Sequence, residues 1–128
     1  AGVGGELLLQ LVRSLLMSFP THSFKFILCP VHHVCHVRQG LQALKLGLVD
    51  EQLLQENNRF YEILYVSNHR GEKISPIGEK IWQTNTSEQK AVIAAYLKSC
   101  LQHYQRMQAH DSENQTIVQL YQNQRLST

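Results

Sequence analysis

The chain has 128 residues, 43% of them hydrophobic, and its 12 basic and 10 acidic side chains leave a formal charge of only +2. That length and composition suit one folded domain with a modest core, and they exclude a disordered or collagenous chain. So small a positive excess also excludes a polycationic coat, so any contact with nucleic acid has to come from local clustering of charge.

Glu6 to Ser18 reads as a first helix, with Leu8, Leu11, Val12, Leu15 and Leu16 as its buried stripe. Leu7 and Leu9 widen that stripe around most of the circumference, which predicts a place deep in a core or at an oligomer contact. The Leu7–Met17 run is too short for a membrane span and carries Arg13. It has no basic flank and no clear cleavage site, so it does not read as a signal peptide. Ala1 to Gly5 reads as a trimmed start, and the expected setting is cytoplasmic. Three cysteines, an odd number, give no sign of a secreted disulfide framework.

His22 to Cys29 is ambiguous: Phe24, Phe26 and Leu28 alternate like a strand, while Phe24, Ile27 and Leu28 fit a short helix. Pro30 suits a first helical position, and Val34, Val37, Leu41, Leu44 and Leu48 then step by three and four. The spacing predicts a helix from Pro30 to about Leu48, closed by Gly47 and Asp50. Its opposite face carries His32, Cys35, His36, Gln39 and Gln42, flanked by Arg38 and Lys45, with no acidic residue. Such a face suits the major groove, where donors and acceptors read base edges. It equally suits plain solvation. Asp50, Glu51 and Glu56 read as part of a connecting loop. Phe60 and Ile63 to Val66 form a β-prone run, Asn68 to Lys73 a polar turn around Gly71, and Lys73-Ile74-Ser75 a short returning strand before Pro76. Arg59, Arg70, Lys73 and Lys80 crowd this hairpin. Helix, two strands and a basic turn make a winged helix-turn-helix plan, mainly α with a small β-wing.

Pro76 to Gln83 resumes helical character, with Ile81 and Trp82 expected to pack under the hairpin. Thr86 and Gln89 match a capping box that opens a long helix, Ser87 to about Ala109. Ile93, Leu97, Cys100, Tyr104 and Met107 repeat four-three-four-three, a coiled-coil seam that predicts a homodimer or packing on the first helix. His110 to Asn114 breaks the helix, and Thr116 to Gln124 makes a weak last one. The expected organisation is a winged-helix DNA-binding domain over residues 1–83 and a helical dimerisation segment over 84–128, forming one compact unit.

With these residues placed, the chain resembles the PadR family of winged-helix transcriptional regulators. Leu8 to Leu16 followed by Pro20-Thr21-His22-Ser23-Phe24 is similar to that family's first helix and the opening of its second. Val37, Leu41, Leu44, Gly47, Leu48 and Val49 are similar to the end of its recognition helix, and Ile74-Ser75-Pro76-Ile77-Gly78 to its closing pattern. The resemblance implies a homodimeric repressor bound to double-stranded DNA, with the His22 segment helical and a circadian-clock gene among the targets such a small, glutamine-rich member would fit. His32, His36 and Gln39 would meet base edges, Arg38 and Lys45 phosphates, and His69, Arg70 and Lys73 would form the wing.

Several alternatives stand beside that reading. Cys29, His32, Cys35 and His36 are weak candidates for a metal site, and Cys29-Pro30 resembles a haem-regulatory dipeptide, so a His/Cys sensor is one. A winged helix used only for protein contacts is another. Phe26 to Pro30 followed by a helix fits the first strand and turn of an α/β enzyme with Cys29 as nucleophile. No glycine-rich phosphate loop follows it, so no enzyme, no catalytic residue and no cofactor is expected.

Overall fold

A computed structural model describes residues 2–107, 111–124 and 126. Its elements are α1 (Gly2–Ser18), β1 (Lys25–Leu28), α2 (Val34–Ala43), β2 (Gly47–Glu56), β3 (Arg59–Ser67), a 3-10 turn (Lys80–Trp82), α3 (Ser87–Met107) and α4 (Ser112–Gln122). They fall into two compact units, Ala1–Gly78 and Glu79–Thr128.

The first unit is an α/β layer, not a winged helix. Its sheet has the order β1-β3-β2, with β3 antiparallel to both neighbours, so β1 and β2 run parallel with β3 inserted between them. The chain from β1 through α2 to β2 is therefore a split β-α-β unit. Phe26 pairs with Val66, Leu28 with Leu64, and Leu48 with Val66, which puts these side chains on one face of the sheet. Val12 from α1 and Val37 and Leu41 from α2 cover that face, closing a core with Leu46, Leu48, Leu64, Val66 and Ile74. Every one of these residues is at most 4% exposed.

Four expectations change here. His22–Cys29 contains a strand, because Phe26 and Leu28 point inward and Ile27 is 65% exposed. The Pro30–Leu48 helix is only Val34–Ala43: Lys45 takes a left-handed φ of 63°, and the chain turns into β2 at Gly47. The acidic loop is β2 itself, whose hairpin to β3 turns on Asn57 and Asn58, both at positive φ (52° and 63°), as a tight two-residue connection needs. The returning strand at Lys73–Ser75 does not form. Ile74 is buried in the core, and Glu72 bridges to Leu48 through hydrogen bonds of 2.7 and 2.8 Å.

α1 keeps Leu8, Leu9, Val12 and Leu16 toward the core while Leu7, Leu11 and Leu15 are 41–58% exposed. With Phe26 and Leu28 these leucines line an apolar groove of about 380 Å³ beside β1, an edge strand. Among the described residues no helix is long and apolar enough to cross a membrane.

In the second unit α3 packs on α4. Trp82 is fully buried there, stacked on Tyr96 at 5.6 Å and edge-on to Tyr121 at 6.2 Å. Of the dimerisation seam, Ile93 and Cys100 are buried, Leu97 is half-buried, Tyr104 stacks on Tyr121 at 5.8 Å, and Met107 is exposed. The expected end of the long helix at Ala109 and the break beginning at His110 lie outside the described residues. Thr86 Oγ1 accepts the Gln89 N–H (3.2 Å), while the Thr86 N–H donates to Thr84 Oγ1 (3.3 Å). Thr86→Ala removes this cap and is expected to cost this unit about 1 kcal/mol. Urea unfolding followed by the fluorescence of Trp82, the one tryptophan of the chain, measures it.

Candidate functional site

In open α/β sheets, ligands bind outside the carboxyl ends of the parallel strands. At that end of β1 lies the turn Cys29 to His33, which leads into α2. His33 caps α2 at a left-handed φ of 53° without a side-chain hydrogen bond. A non-glycine residue held there stores strain of a kind that collects at ligand sites. The glycine-bearing start of α1 packs against this turn: a Cβ on Gly5 would stand 3.4 Å from the His32 carbonyl oxygen and 3.1 Å from the Val37 side chain. One residue on, Glu6 Oε2 lies 3.3 Å from His36 Nε2. Both side chains are more than half exposed, so this pair contributes little to stability and leaves both groups open to a ligand.

The structure divides the residues expected to read DNA into three places. His32 and His36 stand by the carboxyl end of β1, with Gln39 half-buried further along α2. Arg38, expected beside a phosphate, is fully buried: its NH1 lies 3.0 Å from Glu51 Oε1 and its NH2 2.7 Å from Glu62 Oε1. Nε also donates to Glu62 Oε1 (2.8 Å), and NH1 to the Ser75 carbonyl (3.1 Å). Burial opposes its charge, but the two carboxylates outweigh that and hold the guanidinium pKa above its ordinary value. It cannot reach a phosphate. Lys45, His69, Arg70 and Lys73 gather at the far end of α2, around a cleft at the amino ends of β1 and β2. A ten-residue helix is about 15 Å long, which sets these groups at the opposite end of α2 from His36.

Among the described residues no three His, Cys, Asp or Glu side chains are grouped to hold a metal ion. Cys35 is buried, whereas Cys29 and His32 are exposed in the turn and the exposed His36 faces Glu6. Two things escape the sequence reading. Gly4 and Gly5 fall in the run of small residues that reads as a trimmed start, and Glu6 gives no sign that it will meet a histidine 30 residues on. The strand-turn-helix from Phe26 to Val34 is visible in the alternation of Phe24, Phe26 and Leu28, but a search for glycines after that strand misses those beside it in space.

A family model described as a methyltransferase domain matches residues 1–64, half of the chain. No curated protein matches. Among solved structures, the chain is similar to the M1A22 tRNA methyltransferase TrmK of B. subtilis, with 21% identity and a TM-score of 0.53 over 94% of this chain and 56% of that one. It is also similar to Sp1610 of Streptococcus pneumoniae, a candidate tRNA (m1A22) methyltransferase solved with S-adenosyl-L-methionine, with 23% identity and a TM-score of 0.54 over 95% of this chain and 55% of that one. The chain thus shares their fold and spans about half their length. These findings overturn the PadR-like dimeric repressor of a clock gene, the double-stranded DNA partner, the non-enzymatic assignment, and with them the interaction-module and metal- or haem-sensor alternatives. By the match over residues 1–64 the chain belongs to the methyltransferase-domain family.

Proposed function

We propose that the protein carrying this chain is a methyltransferase that modifies RNA, with a tRNA adenine as the acceptor to test first. The observation that carries this reading is the family match over residues 1–64, and the acceptor is suggested by the two structural neighbours. An RNA acceptor of this kind also suits a cytoplasmic setting.

The methyl donor these relatives suggest, S-adenosylmethionine, supplies when bound an electrophilic methyl group on a sulfonium. The residues present fit part of such a site. The start of α1 has glycine at three of its first four positions, which suits a close approach of its backbone N–H groups to the donor's carboxylate. A strand before those glycines, and an acidic residue placed for ribose hydroxyls, are not among the described residues.

What this chain contributes is orientation of the acceptor. Transfer to a ring nitrogen needs its lone pair aimed in line with the bond that breaks, and fixing that geometry is a large part of the rate. The Cys29–His33 turn, rigid through Pro30 and the left-handed His33, offers backbone and imidazole groups to a base edge, and Glu6 orients His36 behind it.

Incubating the protein with tritiated donor and tRNA, then digesting the RNA to nucleosides, is expected to put label in methyladenosine. The double variant His32→Ala/His36→Ala is expected to lower that label at least about tenfold with an unchanged circular dichroism spectrum, the size usual for lost positioning groups. RNA that stays unlabelled by the wild-type protein overturns the acceptor. Full labelling by the double variant removes the turn from the site.

A further inference from the structure

Lys45, Arg70 and Lys73 line a cleft of about 360 Å³ with Gln42, His69 and Glu72. It lies at the end of the sheet opposite the Cys29–His33 turn. Its walls are fixed by backbone rather than by side chains: Gly71 sits at φ 114° against Gly47 and Leu48, and Glu72 is tied to Leu48 on both sides of its peptide unit. Asn68 pins the loop from beneath, accepting the Phe24 N–H (2.7 Å) and donating to the His22 carbonyl (2.8 Å). Ser67 Oγ holds His69 Nδ1 at 2.9 Å, which leaves Nε2 outward. Among the described residues none of the three cations has an ion-pair partner, and Glu72 is the one acidic side chain lining the cleft. Arg38, the single Lys or Arg within α2, is paired with Glu51 and Glu62 inside. Arg70 and Lys73 on a loop too tightly seated to collapse, with Lys45 of the α2–β2 turn lining the same cleft, are arranged for an anion that comes from outside, since a pre-ordered site binds at less ordering cost.

We infer that this cleft binds phosphate groups of the RNA backbone, resting on the reading of the protein as an RNA methyltransferase. The outer side of α2, from His36 to Lys45, has no acidic residue of its own and joins the two ends of the sheet. An RNA arm is wider than this helix is long, at about 15 Å. One arm therefore reaches from the cleft to the turn, with the phosphate contacts fixing register and the turn meeting the base.

The test is the affinity of the protein for a fluorescent tRNA transcript at low and moderate salt. Lys45→Ala/Arg70→Ala/Lys73→Ala is expected to weaken binding about tenfold or more and to lower the slope of log affinity against log salt by about two to three, one counterion per lost contact. Arg59→Ala, which removes one positive charge at the β2–β3 turn, is expected to change affinity less than twofold. The three side chains are exposed, so unfolding by urea should be unaltered. Inorganic phosphate that competes at millimolar levels assigns the cleft to a single phosphate, and failure to compete assigns it to the extended backbone. Wild-type affinity and slope in the triple variant overturn the cleft alone. A wild-type protein that binds no RNA overturns the RNA reading and the cleft together.

Discussion

Arg38→Leu is expected to destabilise the first unit by about 3–5 kcal/mol, the usual cost of removing one partner from a buried ion pair. The reason is arithmetic of charge. One guanidinium faces two carboxylates, Glu51 from β2 and Glu62 from β3, in a place where all three side chains are at most 1% exposed. With the cation gone, two carboxylates face each other on the same side of a sheet without the guanidinium that pairs with both. They must take up protons or open the core to water. The guanidinium also holds the Ser75 carbonyl, so the link between α2 and the segment after the 68–73 loop is lost too. Because α2 then loses its buried ion pairs to the sheet, the Cys29–His33 turn at its start should loosen, and methyl transfer should fall with stability. Replacing the whole triad, Arg38→Met/Glu51→Leu/Glu62→Leu, should recover most of the loss, since an apolar core of similar volume does without the charge. Hydrogen exchange of β3 amides and urea unfolding measure both variants. A loss under about 1 kcal/mol for Arg38→Leu would mean that the triad is solvated and contributes as a surface pair does.

The same triad explains where the sequence stops being legible. Asp50, Glu51 and Glu56 make the segment from 50 to 56 look like a loop, because a charged residue in a strand's inward register is rarely buried. Only the arrival of Arg38 from α2, 13 positions earlier, makes Glu51 an inward residue, and periodicity carries no trace of that pairing. The helix is overextended for a related reason. Leu44 and Leu48 continue the three-four stepping of Val37 and Leu41, yet they are presented by a turn and a strand, and both still reach the same core. The long helix is different. Thr86 and Gln89 mark its start by a local cap, and local chemistry survives into the fold. For the site, the cationic residues after β3 are visible at once as a cluster. Their separation from His36 is a consequence of the length of α2, which the stepping overstates.

Gly71→Ala is expected to cost about 3 kcal/mol, combining left-handed strain of about 1–2 kcal/mol with a backbone clash. The glycine stands at φ 114°, and a Cβ there would come within 2.6 Å of the Gly47 carbonyl carbon and 2.8 Å of Leu48 N and O. None of those atoms can rotate away. They belong to the first residues of β2, hydrogen-bonded to Glu72 on one side and paired with β3 on the other. The approach is reciprocal, since a Cβ on Gly47 would run into the Arg70 carbonyl oxygen and stand 2.9 Å from Gly71 Cα. Gly40 is the useful contrast. Its Cβ would also be crowded, at 2.5 and 2.8 Å, but by the methyl groups of Leu9, which can turn, and its position in α2 favours alanine. Gly40→Ala is therefore expected to stay within about 1 kcal/mol of the parent protein. The two variants separate stability from function in the same assay. Relief of the Gly71 clash requires the 68–73 loop to lift from β2, which spreads Arg70 and Lys73 away from Lys45. Gly71→Ala should thus lose RNA affinity even at temperatures where it remains folded, while Gly40→Ala keeps it. Equal affinities in the two variants would show that the cations bind without the tight seating of this loop, and the cleft would have no claim to a fixed shape.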